Sequence, residues 1–262
     1  MDHDERLRLA ADLTERLLDR HKAGIVAVGV HGSVARGDDG EESDLDLAVV
    51  TTGPEVEVPD RTLYLRPGGL VVDLAAIGAD AYLEEAGHIG PAWPLASDQY
   101  VHHLAIHDPG GYFHKLQHVH QAAVEEAGPE VFAAAAGFDL VQLLSWEAKA
   151  RAAELAGDLL TTQVALKEAA VLAALVVGLL TRTAYRNTAH ALAATAATGV
   201  AGPAFAEAYR RLLDPTAEPA VQVLALGRAR DALLALADRE GIPYRADGLE
   251  AFIGARSRPG GS

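Results

Sequence analysis

Cysteine is absent from the 262 residues. That removes disulfides, thiolate nucleophiles and cysteine-ligated zinc together. Aromatic residues are scarce at 5%, and heavy use of Ala and Leu leans the chain toward helix. Positive charge is short: 22 Lys and Arg stand against 37 Asp and Glu, for a formal net charge of −15. This argues against a broad basic surface for nucleic acid or anionic membrane and favours cationic partners. No apolar run reaches the roughly 20 residues of a membrane span; the longest, Ala169 to Leu180, has about a dozen. The opening Met1-Asp2-His3-Asp4-Glu5 has neither a basic nor an apolar region. The expectation is no secretory signal and a cytoplasmic protein.

What is present is an ordinary globular balance, 50% hydrophobic and 23% charged, in a chain long enough for one large domain or two small ones. Leu7, Leu9, Leu13, Leu17 and Leu18 recur at helical spacing over 2–22, and Gly24 is a stop. Ile25 to Val30 and Asp44 to Val50 are apolar runs of strand length, separated by a polar, glycine-rich stretch. Arg61 to Leu65 and Gly69 to Ile77 predict two more strands joined by the turn signal Arg66-Pro67-Gly68-Gly69. Beyond Pro109-Gly110-Gly111 the pattern becomes almost wholly helical, over about 112–125, 129–157, 160–181, 187–198, 202–212 and 218–240. A boundary falls between about 108 and 128. The predicted arrangement is an α+β domain (1–115, a mixed sheet with helices), an all-α helical bundle (116–255) and a disordered tail (256–262).

The chemistry concentrates in Val30-His31-Gly32-Ser33-Val34-Ala35-Arg36-Gly37 and Ser43-Asp44-Leu45-Asp46-Leu47. Asp44 and Asp46 are two apart on a predicted strand, so they project to one face while Leu45 and Leu47 go to the other. Adjacent carboxylates repel unless a cation lies between them, and hard oxygen donors suit Mg²⁺. Gly32 permits close backbone approach to a phosphate, and Ser33 offers a hydroxyl and an N–H at a helix start. Arg36, one turn on, can meet phosphate oxygens or brace a carboxylate. Asp73, inside the apolar strand Leu70 to Leu74, supplies a third carboxylate whose charge needs pairing or metal. Two Mg²⁺ ions on Asp44, Asp46 and Asp73 would suit in-line transfer at a phosphoryl group.

The set Gly-Ser, a gap of about ten residues, Asp-x-Asp and a later strand carboxylate resembles the nucleotidyltransferases of the DNA polymerase β superfamily. Within it the chain most resembles the kanamycin nucleotidyltransferase-like family of aminoglycoside 4′-nucleotidylyltransferases. The likeness continues through Trp93-Pro94-Leu95, Gln99, Asp108-Pro109-Gly110-Gly111-Tyr112, Lys149, Val177-Gly178-Leu179 and Arg182. It implies an N-terminal nucleotidyltransferase domain, a C-terminal helical domain and a homodimer whose clefts both subunits line. It implies ATP or another nucleoside triphosphate as co-substrate and a cationic small molecule, such as an aminoglycoside, as hydroxyl acceptor. By the same resemblance Asp44, Asp46 and Asp73 hold the metals, Gly32, Ser33 and Arg36 form the triphosphate-binding turn, and Lys149 contacts the nucleotide phosphates.

The chain departs from the family pattern at the general base. The family's glutamate four residues before the lysine is Ser145 here, and two further glutamates are Val141 and Gln142. Glu168, beside Lys167 in an apolar run, is the better substitute base; Glu147 lies about 200° around the helix from Lys149, and Asp73 is itself a candidate. Two other readings remain open on the sequence: an antitoxin-type enzyme that adenylylates a protein, and a non-catalytic nucleotide-binding relative. Six histidines fall between 101 and 120, with His114 and His118 at i, i+4, but without an acidic companion they read as a polar helix face rather than a zinc site. Trp93 reads as packing, and Trp146 is open between packing and stacking on a ligand.

Overall fold

The computed structural model describes residues 1–53, 56, 58, 61–65 and 69–246. They form two compact units: Met1–Gly128 with Ala184–Thr188, and Pro129–Thr183 with the chain from Ala189 onward.

The first unit opens with α1 (His3–His21), closed by a 3-10 turn over Lys22–Gly24, and continues into β1 (Ile25–His31). A five-residue helix, α2 (Gly32–Arg36), ends at Gly37 in the left-handed region, which glycine adopts without penalty. Then come β2 (Leu45–Thr51), β3 (Arg61–Leu65) and β4 (Leu70–Gly78). Residues 79–107, for which periodicity gives no assignment, form α3 (Ala79–Ala86), α4 (Trp93–Ala96), α5 (Asp98–Val101) and β5 (Leu104–His107). The unit's last helix is α6 (Tyr112–Glu126), started by the Asp108 carboxylate, which accepts from the Tyr112 and Phe113 N–H groups at 2.6 and 3.1 Å.

The five strands run in the order β3-β4-β2-β1-β5. Only β2 and β4 pair in parallel; the other pairings are antiparallel. β1 and β2 bury both faces along most of their length, which is why they read as continuous apolar runs. One face packs Val28, Val30, Leu45, Leu47, Val49 and Val72 under Ala10 and Leu17 of α1. The other sets Ala27, Ala48 and Val50 against Tyr82, Tyr100, Tyr112, Phe113 and Leu116. On that second face Gly29 leaves no room for a side chain, because a Cβ there would lie 2.7 Å from the Phe113 ring.

The second unit contains α7 (Pro129–Leu155), α8 (Leu159–Thr181), α9 (Thr188–Ala197), α10 (Pro203–Leu212) and α11 (Pro219–Glu240). Asp158 caps α8 by accepting from the Thr161 N–H at 3.0 Å. Helices α7 and α8 bury mainly small residues, including Ala135, Ala136, Ala150, Ala165, Ala169 and Ala173, which lets two helices approach closely. By length and composition each could cross a membrane, with mean hydropathies of 1.2 and 2.0 over their most apolar stretches. In this fold their apolar residues close on one another and on α11.

The predicted mixed sheet with helices, followed by a helical region, is therefore what the chain forms. The predicted tail at 256–262 and residues 66–68 of the predicted turn lie outside the described residues.

Candidate active site

The parallel register sets Asp46 on β2 directly beside Asp73 on β4, and the antiparallel register sets His31 on β1 directly beside Asp46. Alternation along β2 puts Asp46 on the same face as Ala48 and Val50, at the end of the strand where the aromatic cover stops. Asp44 lies just before β2 and is exposed, while Asp46 and Asp73 are half-buried. Burial first, then the charges of Asp44 and Asp73, push the Asp46 carboxyl up to about 6, against a downward pull from Arg36. The three aspartates expected from the sequence thus share one electrostatic site. Asp73 is held from its far side by Thr62 on β3, whose hydroxyl donates to Asp73 Oδ1 at 2.7 Å.

Gly32 completes the floor. Its φ of +69° lies in the left-handed region, and a Cβ there would collide with the Asp46 carboxylate. Both facts demand glycine at the start of the Gly-Ser turn. Arg36 takes the bracing role of the two open to it: its Nε donates to Asp38 at 3.2 Å, and its Nη1 pairs with Asp98. Arg186 reaches the other Asp38 oxygen at 3.0 Å, and His102 reaches Asp98 at 3.0 Å. Asp38, Asp98 and Arg186 were not singled out by the sequence, where nothing marks residues 36, 98 and 186 as neighbours.

Behind the acids is a buried aromatic layer. The His103 ring stacks on Phe113 with centroids 4.5 Å apart and meets the Tyr82 hydroxyl at 3.2 Å. Burial drives His103 down to about 3, so it is neutral at ordinary pH. Burial lowers His31 also, although Asp73, Asp98 and Asp44 pull it the other way. His120 is buried and bonded through Nδ1 to the Ala86 carbonyl at 2.9 Å, with Trp93 stacked on it, so Trp93 is a packing residue as expected. His114 and His118 are exposed on α6.

Among the described residues, no three His, Asp or Glu side chains converge tightly enough to hold a metal ion as they stand. The donor set nonetheless suits a hard divalent cation. Two carboxylates are register neighbours, with Asp44 two residues before one of them, and Asp46 is raised by burial first and then by the charges of Asp44 and Asp73, both of which such an ion would offset.

Residues 11–87, which span α1 through α3 and hold all three aspartates, match the nucleotidyltransferase domain family. Aminoglycoside 4′-nucleotidyltransferases from Bacillus sp. and Staphylococcus aureus are each 27% identical to the chain over 192 residues, covering 73% of this chain and 74% of theirs. Over residues 11–87 the chain thus carries a nucleotidyltransferase domain match, and over most of its length it resembles aminoglycoside 4′-nucleotidyltransferases. Its kanamycin nucleotidyltransferase-like character, read first from the motifs, holds. A nucleotidyltransferase-like protein from Exiguobacterium sibiricum shares the fold, with a TM-score of 0.54 at 14% identity over 89% of this chain and 77% of that one.

The remaining residues of interest lie in the helical unit. Lys149 is exposed on α7, with its Nζ 4.0 Å from the centroid of the Trp146 ring one turn earlier. Ser145 is exposed on the same helix. Glu168 and Lys167 are both exposed on α8, so the burial that singled out Glu168 in the sequence is not there. Glu147 is not a solvated helix charge: it is buried, and its oxygens accept from Arg151 at 2.9 Å and Arg230 at 2.8 Å. That doubly paired carboxylate fastens α7 to α11.

Proposed function

We propose that this nucleotidyltransferase moves a nucleoside monophosphate from a Mg²⁺-bound nucleoside triphosphate, ATP or another, to a hydroxyl of a small molecule of the aminoglycoside type. The observation that carries the reading is the register pairing of Asp46 with Asp73, with Asp44 two residues before Asp46. Asp44, Asp46 and Asp73 are the residues that would hold Mg²⁺. When bound, the ion would neutralise charge on the phosphates and lower the pKa of the attacking hydroxyl. The chain's own residues do the placing. Gly32 lets backbone approach the triphosphate without displacing Asp46, and Ser33 offers its hydroxyl and N–H beside it. Arg36, braced by Asp38 and Asp98, lends positive potential to the turn. The half-buried His31 stands directly beside Asp46 in the strand register. By the family resemblance Lys149 would meet the nucleotide phosphates, and Asp73 or Glu168 would accept the hydroxyl proton in place of the glutamate that Ser145 replaces.

The relatives' aminoglycoside nucleotidyltransferase activity supports an aminoglycoside acceptor for this chain. The test is incubation with α-labelled ATP, Mg²⁺ and an aminoglycoside panel, followed by separation of the products. Label is expected on at least one aminoglycoside and absent from the Asp46→Asn chain. A panel left unlabelled by active protein would reject the acceptor.

A further inference from the structure

Arg6 is 1% exposed and is the largest fully buried side chain among the described residues. It lies on α1 in the stripe Arg6, Ala10, Thr14, Leu17, whose other members face the sheet. An arginine in such a place must have every donor arm engaged. Its arms converge on one loop: Nη1 donates to Asp39 Oδ2 at 2.9 Å, Nη2 to the Glu41 carbonyl at 2.9 Å, and Nε to the Ser43 carbonyl at 3.1 Å. Asp39, with its side chain 2% exposed, is held from its other oxygen by His3 at 2.6 Å. The loop also closes on itself, with the Ser43 hydroxyl accepting from the Gly40 N–H at 2.9 Å and the Ser43 N–H donating to the Gly40 carbonyl at 3.1 Å.

This loop connects the Gly-Ser turn and α2 to the strand of acids. Its last fixed atom, the Ser43 carbonyl, belongs to the peptide bond that leads into Asp44. We propose that Arg6 is a positioning residue for nucleotidyl transfer: by clamping the 37–43 loop it sets the backbone from which Asp44, and two residues on Asp46, meet the metal and nucleotide. The inference rests on the proposed role of these aspartates. A lysine in place of Arg6 keeps the charge but cannot make three divergent bonds from a planar fork. The side chains it positions are then free to shift by the few tenths of an ångström that metal coordination does not tolerate.

The experiment uses the full chain, with Mn²⁺ titrated at fixed ATP and binding followed by water-proton relaxation, alongside thermal unfolding. Arg6→Lys should raise the Mn²⁺ concentration at half-saturation by about tenfold or more. Leu17→Ala, which weakens the same helix without touching the loop, should lower the melting temperature and leave that concentration unchanged. If Arg6→Lys does not fold, Asp39→Asn carries the same expectation. The proposal is overturned if the substituted clamp binds Mn²⁺ and ATP as the parent does, or if Leu17→Ala shifts half-saturation equally. Asp46→Asn separates the two layers. Parent-like Mn²⁺–ATP binding in Asp46→Asn rejects the assignment of the acids, and lost binding there with unchanged binding in Arg6→Lys rejects Arg6 alone.

Discussion

Asp46 and Asp73 are partners in a parallel strand pairing, side by side on β2 and β4 although 27 residues apart in sequence. Burial, and after it the charges of Asp44 and Asp73, raise the Asp46 carboxyl in that position.

The Gly32 position gives the first prediction. Gly32→Ala forces an alanine to φ +69° and drives its methyl into the Asp46 carboxylate. Loss of stability of about 1–2 kcal/mol is expected from the backbone alone. Nucleotidyl transfer should fall by about a hundredfold, since the acid is displaced. Denaturant unfolding and a labelled-ATP assay on the same preparation check both.

Arg230→Ala tests the buried Glu147 knot. It leaves a buried carboxylate with the more exposed Arg151 as its remaining ion-pair partner among the described residues. The expected cost is about 2–3 kcal/mol of stability. ATP binding should be unchanged, because the knot fastens α7 to α11 and lies outside the proposed chemistry. A chain as stable as the parent would contradict the role given to it.

Asp139, on α7, is 2% exposed, and its Oδ2 has no hydrogen-bond partner among the described residues. Burial pushes its carboxyl up to about 7. Between the unfolded value near 4 and about 7, the folded chain holds a proton that the unfolded chain releases. This group's contribution is therefore full below about pH 4 and is lost as pH rises to about 7. Asp139→Asn should remove that slope and raise the melting temperature at pH 8. Thermal unfolding from pH 5 to 8 reads it directly; parallel curves for the two chains would show that Asp139 is ionised without cost.

Trp146 reports on Lys149. In a Trp93→Phe chain Trp146 is the remaining tryptophan, and its ring carries the Lys149 ammonium at 4.0 Å. Saturating Mg²⁺–ATP should change its emission as the ammonium leaves the ring for the phosphates. Unchanged emission at saturating nucleotide would place Lys149 away from the ligand.

Much of this was legible in order along the chain. The apolar runs of β1 and β2 and the long helical periods gave elements within a few residues of those observed, because each has a face, or two, buried in a core. Asp73 was legible because a charge in an apolar strand needs a reason. β5 was not: none of its four residues is fully buried, and they carry no alternation long enough to read. Arg6 was missed since an arginine near a helix start is usually solvated; the available clue was its place in line with Ala10, Thr14 and Leu17. Glu147 and Glu168 exchanged places for a similar reason. A helix buried on more than one side has no single apolar face, so spacing alone did not tell which glutamate faced inward.

The central claim is that Asp46 and Asp73 act together in nucleotidyl transfer. The most direct measurement is single-turnover transfer from α-labelled ATP with Mg²⁺ in the parent, Asp46→Asn, Asp73→Asn and the double variant, each with its melting temperature. Each single change should lower the rate by at least about a hundredfold while the chain stays folded, and the double should be little worse than either. Transfer near the parent rate in either folded single variant would contradict the account.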